Sequence, residues 1–137
     1  MKKRKGFTLF ELLVSISIIA ILTALATVSY SIAQKKARDA RRTQDMDAVR
    51  KAQELYYSQN NYVYASSADE LTGGQFLEKF PSDPKSDRSY IENWEAPIDL
   101  RYEYCFCAEL ENENGGNATD SDCSMGPGNY YCVKNQQ

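Results

Sequence analysis

The stretch that decides the fold reads Gly6-Phe7-Thr8-Leu9-Phe10-Glu11-Leu12-Leu13-Val14, because it opens a long apolar run and places one carboxylate at its start. From residue 12 to residue 33 the chain has 22 residues and no charged side chain. An ionisable group at such a position is costly to bury and by default indicates a function. Glu11 therefore needs a cationic partner, and the nearest would be an α-amino group created by a cut before Phe7.

The four cations at residues 2–5 and the apolar run that follows permit three interpretations. A secretory signal peptide would use residues 12–22 as its apolar core and Ala24-Leu25-Ala26 as its cleavage site. A plain membrane anchor needs about 20 apolar residues, which the run supplies. A short leader, cut between Gly6 and Phe7, would leave the apolar helix on the mature protein.

Glu11 favours the short leader. Neither a signal peptide nor a plain anchor gains from a carboxylate at the start of its apolar segment. After a cut before Phe7, the new amine can pair with Glu11 of its own chain or of a neighbour, and burying that pair costs less than burying either charge alone. Such a pair selects the register between packed helices, as a buried polar residue does in coiled coils.

The same stretch, with Lys5 before it, resembles the prepilin leader of type IV pilins and type II secretion pseudopilins, because glycine, an aromatic residue, Thr-Leu and glutamate coincide. The resemblance implies that a prepilin peptidase cleaves between Gly6 and Phe7. It also implies that the new Phe7 amine is methylated and that Glu11 guides subunits into a helical filament.

The resemblance further implies a fold class, partners and a location. The fold would be α+β, a long N-terminal helix with a small antiparallel sheet as its head. The partners would be other copies in a homo-oligomeric filament, the prepilin peptidase, the pilus or type II secretion machinery and, before assembly, inner-membrane lipid. Since the basic leader stays inside, the single-pass protein would hold its head outside the cytoplasm and later join a pilus or pseudopilus.

Four segments are predicted from the residue pattern together with the resemblance. The resemblance implies that residues 1–6 are a prepilin leader and that the hydrophobic transmembrane helix at 7–33 serves assembly. The pattern of apolar and charged residues adds an amphipathic helix half at 34–58 and a globular head at 59–137. No proline or glycine occurs between Gly6 and Gly73, so one helix is predicted over about residues 7–58.

The amphipathic half predicts a buried face and a charged face. The apolar positions that recur at spacings of three and four are Ala33, Ala37, Ala40, Ala48, Ala52 and Leu55, with Val49 and Tyr56 beside them. The opposite charges at i,i+4 are Lys35/Asp39, Arg41/Asp45 and Asp47/Lys51. We expect the basic run at 35–42 to be a solvated face with pairs inside the helix. Contact with anionic lipid or with acidic heads of neighbouring subunits is the functional alternative.

Three strands are predicted in the head. Residues 98–110 alternate strictly between apolar and polar or cysteine positions, which is typical of a strand with one buried face. Its aromatic face should lie on the long helix, while Cys105 and Cys107 share the other face. Residues 129–134 predict a second strand and residues 89–91 a third.

All four cysteines lie between residues 105 and 132, which in an exported protein indicates disulfides. If the strands pair antiparallel, nesting favours Cys105–Cys132 and Cys107–Cys123, although sequence cannot fix the connectivity. A zinc site lacks the usual paired spacing of its ligands. A calcium site at the acidic residues of the loop at 111–128 remains an alternative to a solvated loop.

Composition argues against several functions. The net charge is −3, and −7 once residues 1–6 are removed, so the head offers no basic patch for nucleic acid. The chain has no histidine and no phosphate-binding glycine loop, so we expect neither enzymatic activity nor a required cofactor. The leading hypothesis is a structural filament subunit of a pilus or a secretion pseudopilus. The rival is a disulfide-bonded binding module, secreted or membrane-anchored, with an ordinary signal peptide.

Overall fold

The computed structural model describes residues 6–73, 76–94 and 104–136. Helix α1 spans Leu9–Gln59 and the short helix α2 spans Ala68–Gly73. Three strands follow, β1 at Ile91–Asn93, β2 at Cys105–Glu109 and β3 at Tyr130–Lys134. They form one antiparallel sheet in the order β1-β2-β3. The predicted α+β class, a long N-terminal helix with a small antiparallel sheet, is confirmed.

Helix α1 ends in a hydrogen-bonded cap. The N–H of Tyr62 donates to the carbonyl of Tyr57 at 3.1 Å, and Asn61 between them has a φ of 55°. Asparagine tolerates this left-handed conformation better than most residues, and the pattern is that of a Schellman cap. The helix therefore stops within one residue of the predicted end at Ser58, although no proline or glycine interrupts it.

The chain divides into two compact units, Met1–Gln34 and Lys35–Gln137. In the first unit every described residue is exposed, including the apolar side chains of α1. The second unit, which we call the head, contains the rest of α1, helix α2 and the sheet. All buried residues of the described chain belong to the head.

The face of α1 that the head covers differs from the predicted alanine stripe. The buried residues of α1 are Asp39, Arg42, Met46, Val49, Ala52 and Gln53. The stripe is wrong for Ala33, Ala37 and Ala40, which are exposed, and for Leu55, which is 51% exposed. Alanine offers a single methyl group, so burying it removes little apolar area from water. Val49 and Ala52 of the predicted stripe are buried as expected, and the other buried positions of α1 lie on a neighbouring face that carries larger side chains.

The charge pairs within α1 are also partly redistributed. Arg41 and Asp45 form the predicted i,i+4 pair at 4.0 Å. Asp39, predicted to pair with Lys35, pairs with Arg42 at 2.8 Å. Asp47, predicted to pair with Lys51, has its oxygen 3.0 Å from Arg50. Spacing on the helix permits all of these pairs, and contacts with the head select among them.

The strands agree with the predicted pattern and refine its limits. Strand β3 confirms the second predicted strand, and β1 begins at Ile91, where the third was expected to end. Strand β2 covers only the last part of the predicted strand at 98–110, since residues 98–103 lie outside the described part of the chain. The register aligns Cys107 with Ile91 on one side and with Cys132 on the other.

The two faces of β2 enter different clusters, as the alternation predicted. Phe106 and Ala108, with the preceding Tyr104, share one buried cluster with Met46 and Val49 of α1. The ring centroids of Phe106 and Trp94 lie 4.8 Å apart in an edge-on arrangement, which is favourable beyond area burial alone. Cys105 and Cys107 belong to a second buried cluster, so neither face of β2 is open to solvent.

The disulfides join Cys105 to Cys123 and Cys107 to Cys132, so the predicted nested pairing is wrong. The nested pairing requires Cys105 to lie opposite Cys132. In the observed register Cys105 lies opposite Lys134, whereas the Cα atoms of Cys107 and Cys132 face each other at 4.1 Å. The loop after β2 then brings Cys123 to Cys105. No cysteine is free, so none of the four offers a thiolate for zinc.

Candidate assembly site and ion cluster

The first candidate site is the start of α1, where Thr8 and Glu11 form a capping box. The N–H and the hydroxyl of Thr8 both donate to Oε2 of Glu11, at 2.8 and 2.7 Å. The N–H of Glu11 donates to the Thr8 hydroxyl at 3.2 Å. This reciprocal arrangement satisfies backbone donors that the first turn of a helix leaves free.

A local signal for the capping box is present in the sequence. Thr8-Leu9-Phe10-Glu11 has the Thr-x-x-Glu spacing that marks a helix start before an apolar run. Only the Phe7 amine was predicted as a partner of Glu11, so this nearer partner was missed. Glu11 therefore has a partner inside its own chain before any cut is made.

Gly6 and Phe7 lie before the first turn and outside any packed environment in the described chain. Phe7 is 88% exposed, and a Cβ added at Gly6 would meet nothing within 4 Å. Packing therefore does not require glycine at this position. A small residue beside an exposed aromatic residue suits recognition of the segment by another protein, which is what the predicted cleavage needs.

The helix that follows presents an apolar surface without a cover. By length and composition alone, α1 is a candidate membrane span, the only one among the described residues. Its hydroxyl side chains are satisfied internally: Ser15 donates to the carbonyl of Glu11 at 2.7 Å, and Thr23 to that of Ile19 at 2.8 Å. Such bonds let serine and threonine lie in an apolar surrounding without unpaired donors.

The second candidate site lies in the head and consists of charged side chains. We call it the ion cluster. Its three cations and three anions are Arg38, Arg42, Lys85, Asp39, Asp83 and Glu111. They come from α1, from the segment between α2 and β1, and from the residue that follows β2 by two positions.

Arg42 is the centre of the ion cluster. Its side chain is fully buried, and two of its nitrogens donate to the two carboxylate oxygens of Asp83 at 2.7 and 2.9 Å. Its Nη1 donates to Asp39 at 2.8 Å and to Glu111 at 3.0 Å. A guanidinium with all three nitrogens bound in this way is the form in which a buried charge is tolerated.

Glu111 and Asp39 tie the chain after β2 to α1. Arg38 donates two hydrogen bonds to Glu111, at 2.6 and 2.8 Å, and Lys85 lies 3.1 Å from the same carboxylate. Asp39 accepts the backbone N–H groups of Glu111 and Asn112, each at 2.9 Å. The helix thus holds both the side chain and the backbone of this segment.

The electrostatics of the ion cluster favour the charged forms. The hydrogen bonds from Arg38, followed by those from Arg42 and Lys85, hold the pKa of Glu111 well below its usual range although burial opposes this. Burial also opposes ionisation of Asp83, but the bonds from Arg42 and from the Lys85 backbone still lower its pKa. The hydrogen bond to Asp83 raises the pKa of Arg42.

The ion cluster was not predicted, because the basic run at 35–42 was expected to form one solvated face. The structure divides that run: Arg38 and Arg42 enter the head, whereas Lys35, Lys36 and Arg41 are exposed. The partners of Arg42 and Arg38 lie 41 and 73 residues away. Charge spacing within the helix therefore carried no signal for them.

The loop between β2 and β3 covers the free edge of the sheet. Ala118 and Tyr130 exchange backbone hydrogen bonds, and the side-chain amide of Asn117 bonds both the N–H and the carbonyl of Cys132. At Gly116 a Cβ would collide with the Tyr130 carbonyl, so only glycine allows this approach. The loop thereby protects backbone groups that an open edge would expose.

Three acidic side chains of the loop make separate contacts, and the calcium site stays a prediction. Glu111 belongs to the ion cluster, Asp120 accepts the N–H of Ser121, and Asp122 accepts that of Ser124. Among the residues that the structure describes, the close group of potential ligands is Cys105, Cys107 and Cys123, whose sulfurs the disulfides already use.

Comparison with known proteins covers the start of the chain and, for one relative, about half of its length. Residues 1–27 match the family described as the prokaryotic N-terminal methylation motif. Over 68 residues the chain is 41% identical to the type IV wide pilus major component PilA4 of Thermus thermophilus. The match covers 50% of this chain and 52% of that protein, so the chain spans about half the length of this relative. No solved structure matches.

A methylation motif, a long helix and a small antiparallel sheet together form a pilin-like arrangement. The similarity to a wide-pilus component is a similarity to a type IV pilin over about half of the chain. The predicted resemblance is therefore confirmed.

Proposed function

We propose that this protein is a structural subunit of a type IV pilus, assembled through the N-terminal part of α1. The observation that carries the proposal is the uncovered apolar helix with Glu11 in its first turn, inside a segment that matches the methylation motif. In water such a surface is unfavourable, so it needs either lipid or other helices as its surroundings.

Processing would supply a cationic partner for Glu11. A prepilin peptidase removes residues 1–6, and methylation then acts on the amine of Phe7. This amine stands next to Thr8, whose N–H and hydroxyl already hold the Glu11 carboxylate. The carboxylate is therefore positioned at the chain end before a second subunit arrives. Pairing between its charge and the amine of a neighbour would then set the axial register of the subunits.

Location and partners are part of the same proposal. The chain first spans the inner membrane through α1, with the basic leader inside and the head outside the cytoplasm. Assembly exchanges the lipid around α1 for the helices of other copies, with the help of a pilus assembly machinery. The head needs no cofactor and no catalytic residues for this role. Similarity to a wide-pilus component favours a pilus over a type II secretion pseudopilus.

Mass determination of the mature N-terminus tests the proposal. We expect a chain that begins with N-methylated Phe7, and a Gly6→Asp variant that keeps its leader because the peptidase no longer accepts the site. A mature chain that begins at Thr27 would overturn the proposal, since an ordinary signal peptidase would then have removed the assembly helix. After such a cleavage before Thr27, the head would have no membrane helix and should be released as a soluble domain.

A further inference from the structure

Within the head, the part of α1 that packs against the other elements begins with charged side chains rather than apolar ones. Residues 6–37 are exposed throughout, and Arg38 is the first residue of α1 with partial burial. Asp39 and Arg42 are buried, whereas the first buried apolar residue is Met46. Two turns of helix therefore adjoin the head before the apolar core starts.

Polar contacts hold these two turns. The ion cluster provides the bonds of Arg38, Asp39 and Arg42, and the hydroxyl of Tyr90 donates to Asp45 at 2.6 Å. Apart from the bond between Arg42 and Asp39 inside the helix, each partner comes from a segment distant in sequence, so these bonds exist only while those segments are folded. Loss of one partner would leave a buried charge uncompensated, which is strongly unfavourable.

The other end of the buried face of α1 repeats the arrangement with neutral groups. The side-chain amide of Gln53 donates to the carbonyl of Ala65 at 3.1 Å and accepts its N–H at 2.9 Å. Between these two polar ends lie the apolar residues Met46, Val49 and Ala52. The fully buried residues of α1 are thus apolar in the middle and polar at both ends.

We propose that the ion cluster fixes the N-terminal boundary of the cooperative folding unit formed by the head. The bonds of Arg42 to Asp83 and Glu111 hold residues 38–45 of α1 in place, and apolar packing holds the helix from Met46 onward. Loss of the ion cluster therefore frees residues 38–45 while the rest of the head stays folded. This boundary is expected to be the same whether lipid, detergent or other helices surround the part of α1 before Arg38.

Amide hydrogen exchange of the full-length protein in detergent micelles tests this boundary. The amides of residues 42–46 bond the carbonyls of residues 38–42 and report on the two turns, and those of residues 49–53 report on the core. In the unaltered protein both sets should exchange at similar, slow rates. In Glu111→Gln, exchange at residues 42–46 should accelerate about 100-fold and exchange at residues 49–53 by less than about tenfold.

Two further variants keep the test decisive. Arg41→Met removes an exposed arginine from the same two turns. The only close carboxylate of Arg41 in the described chain is that of Asp45 at 4.0 Å. The exchange rates of both sets of amides should therefore stay unchanged. Arg42→Met should reproduce the selective effect more strongly. Equal acceleration of both sets in Glu111→Gln would overturn the proposal, because the cluster would then be one part of a uniform core. Unchanged exchange at residues 42–46 would overturn it as well.

Discussion

The immediate neighbours of Glu11 determine how unfavourable its charge is in an apolar segment. Its charge is unfavourable in an apolar segment, yet the N–H and hydroxyl of Thr8 already bind it. The capping box therefore lowers the cost of placing the carboxylate in an apolar surrounding. In our proposal it also orients the side chain beside the Phe7 amine that cleavage would create. One side chain thus serves the helix end in the single chain and, in our proposal, the register in the filament.

Replacing Glu11 and Thr8 in separate variants distinguishes these two roles. We expect Glu11→Ala to be processed and inserted into the membrane, but to fall at least about tenfold in sheared filaments, because the amine of Phe7 would be buried without a partner. Immunoblots of membrane and sheared fractions measure both quantities. Thr8→Val, which removes one bond to the carboxylate but keeps its charge, should reduce filament yield less. Normal filament yield from Glu11→Ala would contradict the assembly role.

Glu111 determines how the head responds to acid. Its pKa is lowered in the folded head by Arg38 and then by Arg42 and Lys85, so its contribution to stability is present above the unfolded pKa of about 4.3. The contribution is lost as the pH falls from about 5 towards the lower pKa of the folded state. Asp83 acts in the same direction.

We therefore expect the free energy of unfolding of the head to decrease by about 1–3 kcal/mol between pH 5 and pH 2. Urea unfolding followed by circular dichroism at a series of pH values measures this decrease. Glu111→Gln should be less stable at pH 7 and should show a shallower decrease below pH 5. A Glu111→Gln profile parallel to that of the unaltered protein would show that this carboxylate does not carry the effect.

Among the elements, the helix and the strands differ in how far sequence could define them. The limits of α1 were predictable because a continuous helical pattern, a cap at each end and the lack of proline and glycine act locally. The two faces of β2 were predictable because alternation acts over neighbouring residues. The register of β2 against β3 depends on the loop between them, and this loop decided the disulfide pairing.

Peptide mapping without reduction tests that pairing. Cleavage after Phe106 separates the two cysteines of β2, and cleavage after Met125 separates the other two. We expect peptides that link Cys105 to Cys123 and Cys107 to Cys132. Digestion at acidic pH prevents exchange, which requires a thiolate.

The bridges should also contribute to stability. Replacing Cys107 and Cys132 together by serine should lower the free energy of unfolding by about 2–4 kcal/mol. The double variant of Cys105 and Cys123 serves as the comparison, since it frees the loop while keeping the bridge between the strands. A link between Cys105 and Cys132 in the unaltered protein would contradict the observed register.

For the whole molecule, the division into two units separates assembly from folding. The first unit contributes an exposed apolar helix, and the head contains all the buried residues of the described chain. We expect a chain that begins at Lys35 to be soluble and folded, because it keeps the core and the entire ion cluster. The full chain should remain with membranes until detergent is added.

A shorter chain provides the matched control. A head that begins at Thr43 loses Arg38, Asp39 and Arg42 but keeps Met46 and the apolar core. We expect it to unfold at a lower temperature than the chain that begins at Lys35, because Asp83 and Glu111 would lose their arginine partners. Differential scanning calorimetry of the two fragments measures the difference. Equal unfolding temperatures would show that the cluster adds nothing to the head.

The sequence by itself determined the class of this protein, the extent of α1 and the buried faces of the strands, because each depends on residues near one another in the chain. Only the tertiary structure decided the partners of Arg38 and Arg42 and the pairing of the four cysteines. Those contacts join residues 18 to 73 positions apart. At such separations the folded backbone, rather than spacing along the chain, determines which side chains meet.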